Sequence, residues 1–179
     1  METHPLLAHP ESPPVSVNSI GILLGSVPDG RLMLRWKVSG DSDLMVPSFS
    51  GRGRADELWK TTCFELFLMR KDGSYREFNF SPSGRWAAYE FDSRRSGMKE
   101  YEPIQWPEID CQEGSGLTVM TVFLAGAELA GMERAGISAV IEEEGEVLSY
   151  WALAHRDKGG PDFHDPACFA LALGQAAKK

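Results

Sequence analysis

Between Arg31 and Val38 the side chains alternate: Leu32, Leu34, Trp36 and Val38 share one parity, Arg31, Met33, Arg35 and Lys37 the other. A period of two belongs to a half-buried strand, because successive side chains of an extended chain point to opposite faces. Asp29-Gly30 separates this run from the apolar stretch Val17 to Val27, and the two read as a hairpin. A second hairpin is stronger. Thr62 to Arg70 and Ser74 to Phe80 flank Lys71-Asp72-Gly73, and Ser81-Pro82-Ser83-Gly84 then turns the chain into Arg85 to Phe91. Further strands are expected at Leu117 to Leu124, Gly136 to Glu142, Glu146 to His155 and Cys168 to Leu173. The acidic run Glu142 to Glu146 reads as a solvated turn joining two of them. Only Ala125 to Met132 and Ala55 to Trp59 carry a helical pattern, and both are short.

About nine or ten strands with turns at this spacing predict an all-β domain, a two-sheet antiparallel sandwich or jelly roll, since an open sheet of that size leaves one apolar face uncovered. No internal repeat or second composition regime divides the chain. The expected organisation is a flexible N-terminal arm over 1–14, with Pro5, Pro10, Pro13 and Pro14, followed by a single domain over 15–175. Asp41 to Asp56, containing Gly51-Arg52-Gly53-Arg54, and Arg94 to Trp106 are expected as long exposed loops.

Composition agrees. The 179 residues are 42% hydrophobic and 25% charged, enough for one domain with a sizeable core. The 18 glycines and 11 prolines punctuate short segments, as a β-rich fold requires. A net charge of -8 repels phosphate backbones and anionic membrane surfaces, so no nucleic-acid or membrane partner is expected. Cys63, Cys111 and Cys168 have no C-x-x-C spacing for zinc or redox work and read as reduced, buried thiols. The N-terminus lacks a basic segment followed by an apolar run, and no stretch approaches the ~20 apolar residues of a membrane span. The expected setting is the cytoplasm.

Face assignment within the central strands isolates the candidate chemistry. Phe64, Leu66 and Leu68 share one side, leaving Cys63, Glu65, Phe67 and Met69 on the other, so Glu65 is a carboxylate in an otherwise apolar strand. In the paired strand, Tyr75, Glu77 and Asn79 oppose Phe78 and Phe80. Glu65, Tyr75, Glu77 and Asn79 thus form a polar and aromatic row across one sheet face. Such a row suits a sugar, whose hydroxyls take carboxylate, amide and guanidinium partners while its C–H faces stack on aromatic planes. Trp59, Trp86 and Trp151 are the candidate platforms, although tryptophans of a β-fold also serve as core. Glu65 has a second reading, as a structural ion pair with Arg35 or Arg85. The other polar concentration runs from His155 to Pro166. Its histidines and aspartates have the chemistry of divalent-metal ligands, but Gly159, Gly160 and Pro161 fix no ligand geometry, and a turn held by side-chain hydrogen bonds is favoured. No nucleophile elbow, P-loop, H-E-x-x-H or dinucleotide fingerprint is present, so a non-enzyme is expected, with Glu65 and Glu77 as a glycosidase pair in the minority reading.

Glu57-Leu58-Trp59-Lys60-Thr61-Thr62-Cys63-Phe64-Glu65-Leu66-Phe67-Leu68, followed by Tyr75-Arg76-Glu77-Phe78-Asn79-Phe80-Ser81-Pro82-Ser83-Gly84, resembles the central hairpin of the DOMON-like superfamily, which includes the family 9 carbohydrate-binding modules. Tyr150 to His155 and Pro161 to Phe169 extend the likeness, which spans roughly residues 15–173. The resemblance implies a jelly roll of two antiparallel sheets that holds a terminal sugar between two tryptophans, with Trp59 and Glu65 in the matching segment. Trp151 or Trp86 would supply the second stacking ring. Other members of the superfamily bind haem through axial Met and His ligands, for which Met69, Met98, His155 and His164 are available.

The expectation is therefore non-catalytic binding of a sugar or related small polyhydroxylated ligand, with no cofactor. Trp59 and Trp151 stack on it, Glu65, Asn79 and Arg85 hydrogen-bond to it, and His155 or His164 lines the rim. A haem-binding redox module, with calcium as a further candidate cofactor, and an interaction domain without a small ligand are the alternatives.

Overall fold

The computed structural model describes residues 2–40 and 42–174. Met1, Asp41 and Gln175, which the expected segments included, lie outside the described residues. The described strands are β1 (Glu2–Ala8), β2 (Ser19–Ser26), β3 (Arg31–Ser39), β4 (Gly53–Arg54), β5 (Cys63–Arg70), β6 (Tyr75–Phe80), β7 (Arg85–Phe91), β8 (Lys99–Glu100), β9 (Glu108–Glu113), β10 (Leu117–Ala125), β11 (Met132–Glu143), β12 (Val147–Ala152) and β13 (Leu171–Ala172). Helical structure among the described residues is confined to three 3-10 turns, Leu58–Lys60, Gly126–Leu129 and Pro166–Cys168. Gly126–Leu129 lies inside the segment expected at Ala125 to Met132, and Leu58–Lys60 overlaps the end of the one expected at Ala55 to Trp59.

Hydrogen bonds join the strands in the order β9-β10-β3-β2-β1-β12-β11-β5-β6-β7-β4, with β13 also pairing with β11 and β8 with β7. The architecture is all-β, a single curled and mixed sheet. The expected purely antiparallel pairing is corrected at one edge, where β4 runs parallel to β7, with Gly53 opposite Arg85 and Arg54 opposite Trp86. The ladder is continuous through β1, which joins its two wings. The connection from β4 to β7 contains β5 and β6, long enough to return the chain in the same direction.

β1 also corrects the expected arm. Its first residues, Glu2 to Leu6, pair with β2, and its last two, Leu7 and Ala8, pair with β12. The strand therefore crosses from one wing of the sheet to the other, and Leu6 is buried in the core between them. It also covers the backbone edges that β2 and β12 would otherwise leave unpaired.

The wings face each other across that core. Ile20, Ile22, Leu34, Trp36, Met120 and Val122 from one meet Phe64, Leu66, Phe78, Phe80, Ile137 and Ile141 from the other. Trp36 sits at the centre, its ring 5.4 Å from Phe64 and 6.2 Å from Phe80. The opposite face of β5, β6 and β7 carries a second cluster that includes Phe67, Tyr75, Tyr89 and Phe91, with Phe163 and Phe169 packed onto it. Every second residue of these strands points into that second layer, as the alternation predicted.

The hairpin between β5 and β6 shows how the register is set. Gly73 takes φ 86, a conformation that costs glycine little, while Asp72 accepts the Ser74 amide at 2.9 Å. That turn places Glu65 opposite Asn79 and Phe67 opposite Glu77. The acidic turn after β11 is corrected at one residue. Glu143 is buried, and its carboxylate accepts hydrogen bonds from the Val15, Ser16 and Val17 amides and from the Ser16 hydroxyl. The expected strand at Cys168 to Leu173 shortens to β13, because Asp165 caps a 3-10 turn over Pro166–Cys168. β9 was not expected. Its polar residues Glu108, Asp110 and Glu113 suit an outermost strand, where charge discourages further pairing. No helix among the described residues is long and apolar enough to cross a membrane.

Candidate functional site

A cleft of about 590 Å³ opens on the outer face of β5, β6 and β7. Its floor is polar: Glu65 on β5, with Glu77 and Asn79 on β6, all buried. Its walls are aromatic: Phe67 and Phe91 from the strands, Tyr150 from β12, Phe163 from the loop after β12, and Trp59 from the first 3-10 turn. Trp59 stays half exposed, at 50%, which leaves much of its ring to solvent.

Each floor residue has a specific electrostatic setting. Glu65 accepts a 3.0 Å hydrogen bond from the Ser138 hydroxyl through one oxygen. Burial pushes its carboxyl up to about 8, and the neighbouring Glu77 charge adds to the shift. Burial likewise pushes Glu77 up to about 7, opposed by the Asn79 amide and the Arg95 charge. With the Asn79 amide nitrogen given to Glu77, its Oδ1 is a buried acceptor with no hydrogen-bond partner. The reverse placement would set Oδ1 against a carboxyl oxygen, so the orientation follows from the network.

His164 stands beside this floor, its Nε2 3.5 Å from a Glu77 oxygen. The Tyr75 hydroxyl accepts the Arg95 amide at 3.1 Å and lies 2.7 Å from His164 Nδ1. With Nε2 facing a Glu77 oxygen, we assign the imidazole proton to Nε2 and the Tyr75 hydroxyl proton to the bond with Nδ1. Burial, reinforced by the Arg95 charge, drives His164 down to about 4, so the ring is neutral. At the opposite side Tyr89 donates to Asp56, and at the mouth Arg95 holds Asp162 at 2.9 Å, to which Arg94 also donates.

Trp59, Glu65, Asn79 and His164, four of the residues singled out from the sequence, therefore line one cleft. The other three do not. Trp151 is 4% exposed in the central core, its indole N–H bonded to Ser149 Oγ at 2.9 Å. Arg85 reaches back from the start of β7 to the Ser50 carbonyl at 2.8 Å. His155 lies just beyond β12, with Nε2 2.7 Å from the Leu7 carbonyl and its ring edge-on to His9. Trp86 is core as well, with Arg54 over its face at 4.6 Å. Neither Arg35 nor Arg85 pairs with Glu65, since Arg35 bonds the Thr121 hydroxyl. Sequence reasoning missed Tyr89 and Phe91, although alternation along β7 puts both on the cleft side. It also did not place Tyr150 or Arg95 at the site, and it singled out Met98 only as a candidate haem ligand.

The segment from His155 to Pro166 is organised as a turn. Asp162 accepts the His164 amide, and Asp165 accepts that of Ala167. His164 Nδ1 is engaged by Tyr75 and its Nε2 faces a carboxyl group, while His155 Nε2 lies against a backbone carbonyl and its Nδ1 is buried.

The contrast between the two tryptophans gives a first prediction. Trp151→Ala should destabilise the protein by about 3–5 kcal/mol, as loss of a buried Trp does, whereas Trp59→Ala should leave stability within about 0.5 kcal/mol. Urea denaturation of both variants measures this, and equal losses would place Trp59 in the fold's core instead of at its surface.

No family model matches the chain, and no curated protein matches it in sequence. Among solved structures, a crystal structure of a candidate carbohydrate-binding protein from Bacteroides uniformis is similar, with a TM-score of 0.68, 14% identity, and coverage of 94% of this chain and 84% of that one. At that identity the likeness is one of fold.

Proposed function

We propose that the cleft binds a carbohydrate or related small polyhydroxylated ligand without transforming it, in a module of jelly-roll type. The observation that carries this reading is the arrangement of the floor under Trp59. Glu65, Glu77 and Asn79 form a row of buried groups with hydrogen-bonding capacity to spare, beneath an exposed indole. A pyranose has that division of surface, with hydroxyls at its edge and C–H bonds on its faces. The fold likeness to a candidate carbohydrate-binding protein points the same way.

The position of the carboxyls favours binding over hydrolysis. Glycosidase pairs flank the scissile bond. Glu65 and Glu77 instead rise from adjacent strands on one floor, diagonal neighbours in the β5–β6 ladder. We place the protein in the cytoplasm as part of the same proposal, consistent with the free thiols of Cys63, Cys111 and Cys168. A net charge of -8 argues against nucleic-acid or anionic-membrane partners.

Titration calorimetry against a panel of monosaccharides tests the proposal. Glu65→Ala should weaken a sugar that binds by about 10- to 100-fold, through loss of hydrogen bonds made in a buried site. Trp59→Ala should weaken it by roughly tenfold, through loss of stacking. Affinity unchanged in both variants would move the sugar site away from this cleft.

A further inference from the structure

The lining of the cleft is lopsided in charge. Glu57 pairs with Lys60 at 2.9 Å and Asp162 with Arg95 at 2.9 Å, which balances those charges locally. Asp56, Glu65, Glu77 and Glu100 remain, and none meets an Arg or Lys in an ion pair among the described residues. The same imbalance holds at hydrogen-bond level. Glu65 uses one oxygen for Ser138, Glu77 takes one amide from Asn79, and Asn79 Oδ1 is buried without a donor. The floor is thus rich in oxygen acceptors; among the described residues, beyond the Ser138 hydroxyl and the Asn79 amide already engaged, its donors are the Nε2–H of the neutral His164 and the protons that the raised carboxyls hold.

A neutral hexose brings hydroxyls that accept as readily as they donate, so it uses such a floor only in part. A phosphorylated or uronic sugar brings negative charge to a lining whose unpaired ionisable side chains, among the described residues, are acids, and so meets no cation there to balance it. A protonated amine brings three donors, no acceptor and one positive charge, and the aromatic walls offer π faces that attract a cation. We infer that this site selects a ligand carrying a protonated primary amine, with an amino sugar as its chemical class. The inference rests on the carbohydrate reading for the sugar part and on the charge and acceptor pattern for the amine.

The groups facing the two carboxyls agree. Cys63 lies on the same face of β5 and is held protonated by burial. Tyr89 is kept as a phenol by burial and by Asp56. Among the described residues, Arg95 is the one Arg or Lys that lines the cleft, and it is committed to Asp162. Near neutral pH the carboxyl pair therefore retains protons. An arriving ammonium displaces one of them to the buffer, as the site exchanges a bound proton for a bound cation.

The test is calorimetry on the full chain at about pH 6.5, where a hexosamine is still mostly charged. Glucosamine, galactosamine and mannosamine are each compared with the parent hexose and the N-acetyl form, and cyclohexylamine serves as an amine without hydroxyls. One amino sugar should bind about tenfold or more tightly than its parent and N-acetyl forms, the gain of a charge-assisted contact. Repeating the titration in buffers of different ionisation enthalpy should show release of roughly one proton per ligand. Glu65→Gln and Glu77→Gln, which preserve side-chain volume, should bring the ratio of amine to parent affinity close to one.

A parent hexose or N-acetyl sugar that binds as tightly as the amine overturns the inference and leaves the carbohydrate reading standing. So does tight amine binding without proton release. Cyclohexylamine binding as well as the best hexosamine, with no neutral sugar registering, supports the amine and removes the carbohydrate. No heat with any of these probes removes both.

Discussion

Glu143→Ala lowers the stability of the protein by about 3–5 kcal/mol, the usual cost of leaving buried charge-assisted partners unmet. The carboxylate accepts the Val15 amide at 2.8 Å, the Ser16 amide at 2.6 Å, the Val17 amide at 3.0 Å and the Ser16 hydroxyl at 2.8 Å. Removing it strands three backbone N–H groups and frees the segment that leads into β2. The same contacts hold the Glu143 carboxyl below the usual carboxylate range, against the opposing effect of burial. A folded pKa below the unfolded one means that this stabilisation is complete above the unfolded value, about 4.3, and is lost as pH falls through the folded value. Urea denaturation of wild type and variant at pH values on both sides of that window should show the difference shrinking in acid. A loss under about 1 kcal/mol at neutral pH would mean that water replaces the carboxylate without penalty.

The second large effect has the opposite sign. The double variant Glu65→Gln, Glu77→Gln should be more stable than wild type at alkaline pH, on the order of 4 kcal/mol, the free energy of holding a carboxylate ionised in a buried site. Burial raises both folded pKa values, to about 8 and about 7. A raised folded pKa makes the protonated carboxyl the better fit. The wild type keeps its full stability below the unfolded value of about 4.3 and loses it progressively as pH rises towards the folded values. Glutamine does not ionise, so the variant escapes that loss. Urea denaturation near pH 3.5 and pH 8.5 should show the two proteins diverging by the amount stated, with near equality at the lower pH, below the unfolded value. A variant no more stable at alkaline pH would show that solvent entering the cleft already relieves the ionised pair. A protein that retains two such carboxyls gives up stability for what they do in the cleft, the pattern expected of a functional site.

Much of the cleft's floor was legible from strand parity alone. Phe64, Leu66 and Leu68 point to the core while Cys63, Glu65 and Phe67 point outward, and the Lys71-Asp72-Gly73 turn brings Asn79 opposite Glu65. Trp151 shows where parity fails. Nothing in Glu146 to His155 says which alternate set faces the core, and a shift of one residue exchanges the two faces. Tyr150 lines the cleft where Trp151 had been expected. Arg85 lies at a strand end, where a long side chain follows its nearest carbonyl instead of the pleat. β1 was hidden by Pro5 and the prolines that follow the strand, because its pairing depends on partners at 20–24 and at 151–152 that no local pattern announces. The buried Glu143 was hidden for the same reason. Its neighbours Glu142, Glu144 and Glu146 make it look like one of a solvated run, and only the distant segment 15–17 distinguishes it.

The crossing strand β1 has a consequence for the order of events on the ribosome. β1 can pair with β2 as soon as both have left the exit tunnel, but Leu7 and Ala8 wait for Trp151 and Ala152, and Val15 to Val17 wait for Glu143. Until β11 and β12 are synthesised, the wing containing β2 and β3, with Ile20, Ile22, Leu34 and Trp36, faces β5 and β6 with no hydrogen-bonded ladder joining the two layers. Long-range closure of this kind slows folding and prolongs the exposure of apolar strands. The nascent chain should therefore be a client of co-translational chaperones for most of its synthesis, and its release from them should coincide with the emergence of β12.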